Sequence, residues 1–91
     1  MRILENEINK NGFQYTCVLR GFKAFVYVQH QNGLPIAYEV FKRKINKDYE
    51  IAGVKIEGGE AFPGNEAFGK WAWSYKSESD AIKKFQDLEN G

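Results

Sequence analysis

The residues best suited to chemistry in this sequence are cations and aromatic rings, the residue types that bind single-stranded nucleic acid. Lys42, Arg43 and Lys44 form a run of three cations, and Lys47 follows shortly after. Proteins that hold single-stranded nucleic acid combine cations for the phosphates with aromatic platforms for the bases. Neighbouring predicted strands supply such rings, and a predicted turn supplies further cations. The predicted surface for nucleic acid or another partner comprises Arg20, Lys23, Tyr27, Tyr38, Lys42, Arg43, Lys44 and Lys47.

A purely structural interpretation of the same cations stays open. In an extended strand Lys42 and Lys44 share one face and Arg43 lies on the other, so the cluster is split. Lysines at the end of a strand also discourage pairing between exposed sheet edges. The chain carries no signature of an RNA-recognition motif. Single-stranded RNA or DNA binding is therefore our alternative hypothesis rather than the leading one.

The second candidate surface is a glycine-rich segment, residues 57–70, which we predict to be a long loop. Loops of this length in small domains are often functional, or are ordered by their own aromatic side chains. Phe62 and Phe68 are suited to pin such a loop to the body of the protein. The predicted partner-binding residues of this loop are Glu57, Glu60, Phe62, Glu66 and Phe68. The simpler interpretation of its acids is a solvated loop.

The remaining reactive residues form no catalytic or metal-binding pattern. Cys17 and His30 are the only cysteine and histidine, which is too few for the about four ligands of a zinc site. They would form a nucleophile–base pair only if neighbouring strands aligned them. Paired acids can bind Mg²⁺, but those of the loop match the spacing of no calcium-binding loop. No glycine-rich phosphate loop precedes a helix. We therefore expect no enzyme, no catalytic residues, no cofactor and no metal.

Length and composition favour one folded domain spanning residues 1–91. The chain is too short for a second core, and 15% aromatic residues argue against a disordered segment. The formal net charge is only +1, which gives no general electrostatic reason to bind nucleic acid or membranes. Residues 1–46 carry seven cations and three acids (+4), whereas residues 47–91 carry six and nine (−3). Such asymmetry is compatible with a partner surface, although folding also mixes the two halves.

Alternating apolar residues predict an antiparallel meander. Residues 13–19, 22–30 and 34–45 alternate as strands, and turn signals lie at residues 9–12, 20–21 and 31–33. Residues 3–8 add a short edge strand, and residues 51–56 one further short strand. Residues 71–75 alternate strictly, which places Trp71, Trp73 and Tyr75 on one face. We expect these three aromatics to form the core beneath a helix.

A helix is predicted at the C-terminal end of the chain. Ser77 is suited to cap it, and Ala81, Ile82, Phe85 and Leu88 fall on one stripe. The fold class is therefore α+β: an antiparallel β-meander of four to five strands with one C-terminal amphipathic helix on one face. A helix about 20 Å long cannot cover a whole sheet face. The remaining aromatic surface would either be covered by the loop of residues 57–70 or stay exposed for a partner. An exposed edge strand leaves a homodimer open.

The expected location is the cytoplasm, with no membrane partner. Residues 1–7 carry two acids and no apolar core, so we expect no signal peptide. No apolar run reaches the about 18 residues of a membrane span. A single cysteine cannot form an internal disulfide.

Two segments resemble small uncharacterised proteins of phages and prophages. The first is AYEVFK, residues 37–42, in a predicted strand, and the second is FPGNEAFGKWAW, residues 62–73, ahead of the capped helix. The likeness covers residues 13–88. Small proteins of this origin often bind and disable a host defence nuclease, as anti-CRISPR proteins do, whereas others bind phage DNA or form part of virions.

The resemblance implies a non-catalytic phage or mobile-element protein that acts in the host cytoplasm. The implied partner is a host protein or ribonucleoprotein, such as a CRISPR effector, whose guide or target channel the protein would occupy. The alternatives are direct binding of single-stranded RNA or DNA, and a structural or dimeric interaction protein.

Overall fold

A computed structural model describes all residues from 1 to 91, and its centre is an antiparallel sheet. In chain order the strands are β1 (Glu7–Lys10), β2 (Phe13–Arg20), β3 (Ala24–Gln31), β4 (Leu34–Lys42), β5 (Ile45–Asn46), β6 (Tyr49–Ile51), β7 (Val54–Ile56), β8 (Gly59–Glu60) and β9 (Ala72–Tyr75). The main sheet has the order β1-β2-β3-β4-β9, and β5–β8 and β6–β7 form two small sheets. One helix, α1 (Glu78–Asn90), packs against the main sheet. The predicted α+β meander with a C-terminal helix is confirmed.

Two-residue turns set the register of the meander. Gln31 pairs with Leu34, which leaves Asn32 and Gly33 to form the turn between β3 and β4. Both turn residues have positive φ, 52° and 79°, a conformation that Asn and Gly adopt at low energetic cost. A slip of one residue would send every buried side chain of the strand to the opposite face, so the turn and the core specify the same register.

The helix covers one face of the sheet. Ser77 caps it, since its Oγ accepts a hydrogen bond from the backbone N–H of Asp80 at 3.4 Å. Ala81 is fully buried against Val26 and Val40, which are paired across β3 and β4. The partly buried side chains that extend this contact are Leu19, Tyr38, Tyr75, Phe85 and Leu88. This helix lacks the length and apolar character that crossing a membrane requires.

Residues 57–70 cover the opposite face, which we call the loop face. The Phe62 ring centre lies 4.9 Å from that of Tyr15, 5.5 Å from that of Tyr27 and 5.4 Å from that of Phe41. A short 3-10 turn, Asn65–Ala67, buries Ala67 completely. The prediction that Phe62 and Phe68 pin this segment is therefore confirmed, because both pack against the core of the loop face. A chain with one helix thus covers both apolar faces of its sheet.

Several elements differ from prediction. The edge strand predicted over residues 3–8 is found at Glu7–Lys10, and the strand predicted over residues 34–45 ends at Lys42. Residues 51–56, predicted as one strand, reverse direction at Ala52 and Gly53 to form the β6–β7 hairpin. Trp71 precedes β9, and Ala72 is the residue that pairs with Phe41. The Trp71 ring therefore packs 6.4 Å from Phe41 on the loop face, whereas Tyr75 lies on the helix face. The aromatics predicted to share one face are divided between the two.

Candidate interaction site

The β6–β7 hairpin exposes an apolar face. Its two strands pair only with each other, and neither strand packs extensively against another strand or the helix. Tyr49 pairs with Ile56 and Ile51 with Val54, so strand alternation places these four side chains on one face. All four are exposed to solvent, Ile51 to 60% and Val54 to 59%. The main sheet buries its apolar side chains, whereas the hairpin leaves these four exposed to solvent.

The energetics of this hairpin favour a bound state. An isolated pair of strands is marginally stable in water, and Ala52 adopts a φ of 51°, which costs a residue with a Cβ about 1–2 kcal/mol. Complete burial of one side chain of this size stabilises by about 1.5–3 kcal/mol. The four are about half exposed, so completing their burial supplies about 3–6 kcal/mol before the costs of association. The apolar face of the hairpin is thus suited to docking.

The opposite face of the hairpin is acidic. Glu50 and Lys55 are paired there, and Asp48 and Glu57 occupy the same side at the base of the two strands. Asp48 Oδ1 accepts a hydrogen bond from the backbone N–H of Gly58 at 2.7 Å. The Met1 ammonium lies 3.8 Å from the Glu57 carboxylate, so three acids against this ammonium and Lys55 give this face a net charge of −1. A partner that encloses the hairpin is therefore complementary if it offers an apolar groove bordered by cations.

A buried ion cluster anchors the base of the hairpin. The Glu60 carboxylate lies 3.3 Å from Arg20 Nη1 and 2.9 Å from Arg43 Nε, and only 4% of its side chain is exposed. It also accepts a hydrogen bond from the backbone N–H of Leu4 at 2.8 Å. The prediction of Glu60 as an accessible partner-binding acid is therefore wrong. Arg20 and Arg43 are drawn into the same cluster, which leaves them only about one-third exposed.

The aromatic residues of the predicted surfaces lie mostly in the core. Tyr27 is fully buried, its hydroxyl donates to the Glu5 carbonyl at 2.7 Å, and burial raises the pKa of Tyr27 to about 12. The prediction of Tyr27 as a stacking platform is wrong. Tyr38 is half-buried against the helix, and the half-buried Phe62 and Phe68 support the loop face rather than a free surface.

The predicted lysines remain on the surface. Lys42, Lys44 and Lys47 are exposed, and none of them forms an ion pair. The Lys44 ammonium lies 5.1 Å from the centre of the Trp71 ring, within range of a cation–π interaction. Lys23 is also exposed, and its ammonium donates to a backbone carbonyl at the end of the helix. The loop acids that stay exposed are Glu57 and Glu66.

Phe22 is an exposed aromatic residue that the sequence analysis missed. It alternates in phase with Ala24 and Val26, which predicts a buried strand position. The strand begins only at Ala24, so Phe22 lies in the preceding turn and is 88% exposed. The turn signal at Gly21, directly before it, was the available indication that alternation stops there.

Cys17 and His30 do not meet. Cys17 is opposite Tyr27, whereas His30 is opposite Gln14. The two are therefore three residues apart along the strands, or about 10 Å. Burial raises the pKa of the Cys17 thiol, which disfavours the thiolate. The pair therefore has neither the distance nor the ionisation of a nucleophile and its base. No group of three or more His, Cys, Asp or Glu side chains converges in this structure.

No protein-family model matches the chain, and neither does any curated protein or any solved structure.

Proposed function

We propose that this is a non-catalytic binding protein that inserts its β6–β7 hairpin into a partner protein. Its proposed partner is a host nucleic-acid-processing complex, such as a CRISPR effector, which it would inhibit on behalf of a phage or mobile element. The observation that supports this most is the exposed apolar face of Tyr49, Ile51, Val54 and Ile56, on two strands that pair only with each other.

Charge supports this partner class over others. Proteins that process nucleic acid carry cationic channels that attract the phosphate backbone. The acidic face of the hairpin is complementary to such a channel, and the apolar face is suited to its hydrophobic wall. A hairpin seated there would exclude the guide or target strand, which would inhibit the complex without any chemistry by the inhibitor.

A second copy of the chain is a poorer occupant of the hairpin. Stable interfaces use about 20–30 residues from each partner, and two stacked hairpins would contribute four apolar side chains each. Stacking would also bring together two hairpins of the same negative charge, which is unfavourable. A groove in a partner protein that encloses both faces of one hairpin would form a larger interface and would avoid the repulsion between like charges.

The test is capture of the partner with hairpin variants, followed by an activity assay. Tagged protein is incubated with nuclease-treated lysate of a bacterium that carries a CRISPR effector, and bound proteins are identified. Replacing both Ile51 and Val54 with Thr removes apolar surface while keeping β-branched side chains suited to a strand. We expect wild-type protein to retain a nuclease complex and to inhibit its cleavage, and the double variant to lose both effects.

Leu34→Thr is the matched control, since Leu34 is an exposed apolar residue at the β3–β4 turn, outside the hairpin. It should bind and inhibit like wild type. Retention of an unrelated protein, or inhibition that survives in the double hairpin variant, would overturn the proposal. A concentration-dependent dimer that the double variant abolishes would assign the hairpin to self-association instead.

A further inference from the structure

The turn between β2 and β3 exposes an aromatic ring to solvent. Gly21, Phe22 and Lys23 form this turn, and Phe22 is 88% exposed, more than any other large hydrophobic residue of the chain. A side chain of this size would gain about 1.5–3 kcal/mol on complete burial. Because the fold leaves the ring in water, its packing does not explain the presence of an aromatic residue here.

The turn is held rigid by the helix. Glu89 lies in the last turn of α1, and its carboxylate accepts hydrogen bonds from the backbone N–H groups of both Phe22, at 2.8 Å, and Lys23. A Cβ on Gly21 would lie 2.5 Å from the same carboxylate, so a larger residue there would displace Glu89 from these hydrogen bonds. The helix dipole makes a carboxylate unfavourable near the C-terminus of a helix. The two hydrogen bonds to the turn offset this unfavourable interaction. The backbone that carries Phe22 is therefore preorganised.

Cations surround the ring. A groove of about 530 Å³ separates the turn, the end of β4 and the end of the helix. Its walls include Lys23, Lys42 and Arg43, and the acid among its lining residues is Asp87. Lys42 has no ion-pair partner, and Arg43 points one nitrogen at Glu60 and keeps about one-third of its side chain in solvent. The Lys23 ammonium donates to the Gly91 carbonyl at 2.8 Å, and the Glu89 carboxylate lies at the same turn. Three cations against Asp87 and Glu89 give a net charge of +1 beside the exposed aromatic ring.

We infer that this groove binds single-stranded nucleic acid, with a base stacked on Phe22 and the phosphates beside Lys23 and Lys42. Aromatic platforms flanked by cations are the usual means of holding single strands without sequence specificity. An acidic peptide would use the cations but leave the exposed ring without a flat partner. The inference rests on different residues from the hairpin, so it stands or fails independently of the proposed function.

The position of the groove extends the account of the hairpin. Lys42 and Arg43 end β4, and the hairpin follows them in the chain after β5. The same end of the sheet therefore carries an acidic, apolar hairpin for a protein and a basic, aromatic groove for a nucleic acid. A ribonucleoprotein offers both ligands at once.

Fluorescence anisotropy tests the groove with labelled RNA and DNA single strands of about 12 nucleotides, within the size range of such sites. An acidic peptide of the same length and the corresponding duplex are the comparison ligands. Phe22→Ala should weaken single-strand binding by about 5- to 150-fold, the range observed for loss of one stacked base. Lys42→Gln should reduce the slope of log affinity against log salt by about 0.7, as for one lost phosphate contact.

Leu34→Ala and Lys70→Glu are the matched controls, since both residues are exposed and lie outside the groove. Both should bind nearly as wild type, and thermal unfolding of each variant confirms that the fold is retained. Phe22→Ala binding with unchanged affinity would overturn the inference. So would absence of single-strand binding at low salt, or tighter binding of the acidic peptide than of either single strand.

Discussion

The buried Glu60 cluster makes a quantitative prediction about stability. Glu60→Gln preserves the shape of the side chain, and its amide oxygen can still accept the hydrogen bond from Leu4. The change removes the charge that faces Arg20 and Arg43, and the amide NH2, which cannot accept a hydrogen bond, replaces the oxygen that lies beside Arg43 Nε. A hydrogen bond to a charged group stabilises by about 1.5–3 kcal/mol. The cluster contains one such bond between side chains, from Arg20 Nη1 to Glu60 Oε1 at 3.3 Å, and one ion pair, Arg43 Nε to Glu60 Oε2 at 2.9 Å.

The exposure of the arginines reduces the expected loss. Their side chains are 34% and 32% exposed, so each regains part of its hydration when the carboxylate is neutralised. Discounting the hydrogen bond and the ion pair for this screening leaves a loss of about 2–3 kcal/mol in the free energy of unfolding. For a domain of this size the midpoint of thermal unfolding should fall by about 10–20 °C.

Urea unfolding followed by tryptophan fluorescence measures the change, with the slope of each curve compared between variants. Glu66→Gln is the matched control, because Glu66 is exposed and has no ion-pair partner. It should alter stability by less than about 0.5 kcal/mol. If Glu60→Gln changes stability as little as Glu66→Gln does, the cluster does not stabilise the base of the hairpin and the reasoning is wrong.

Three further predictions follow from the core, from a buried acid and from the hairpin turn. Phe62→Ala removes the ring that meets Tyr15, Tyr27 and Phe41 and should cost about 3–5 kcal/mol in urea unfolding; a loss below 1 kcal/mol, as for an exposed residue, would contradict this packing. Burial raises the pKa of Glu39, and the charge of Lys10 partly opposes this effect. The folded protein therefore gains stability from protonated Glu39 at acid pH, and it loses that stability as pH rises through the raised pKa. Glu39→Gln should therefore be more stable than wild type at pH 7, and the advantage should vanish toward acid pH; equal pH profiles would contradict it. Ala52→Asn should relieve the strain at positive φ and stabilise the hairpin by about 0.5–1 kcal/mol, which slows its amide exchange by a factor of about 2–5. Faster exchange would contradict the positive φ of Ala52 in this turn.

Much of the fold could be predicted because local patterns and tertiary structure agree. Asn32 and Gly33 specify a two-residue turn, and the alternation of Phe25 and Tyr27 against Val26 separates the two faces that the loop and the helix cover. Ser77 marks the helix start, where the cap is found. Each of these signals lies within a few residues of the element it predicts.

The candidate site was harder to predict because its contacts join distant parts of the chain. Glu60 meets an arginine 40 positions away, and Glu89 fixes a turn 67 positions away. Residues 51–56 are almost continuously apolar, so nothing in their periodicity separates one strand from a hairpin, and Ala52 is an uncommon residue in such a turn. Phe22 continues the alternation of the next strand, and only the tertiary structure shows that it stays in solvent.

Photo-crosslinking from the apolar face of the hairpin, compared with a control position far from it, shows whether this face meets the partner. A photoreactive amino acid replaces either Ile51, on the apolar face, or Leu34, at the distant β3–β4 turn, and the tagged protein is irradiated in nuclease-treated bacterial lysate. Position 51 should crosslink to a subunit of a nucleic-acid-processing complex, position 34 should not, and Val54→Thr should weaken the crosslink. Equal crosslinking from both positions, or crosslinks from position 51 only to a second copy of this chain, would contradict it.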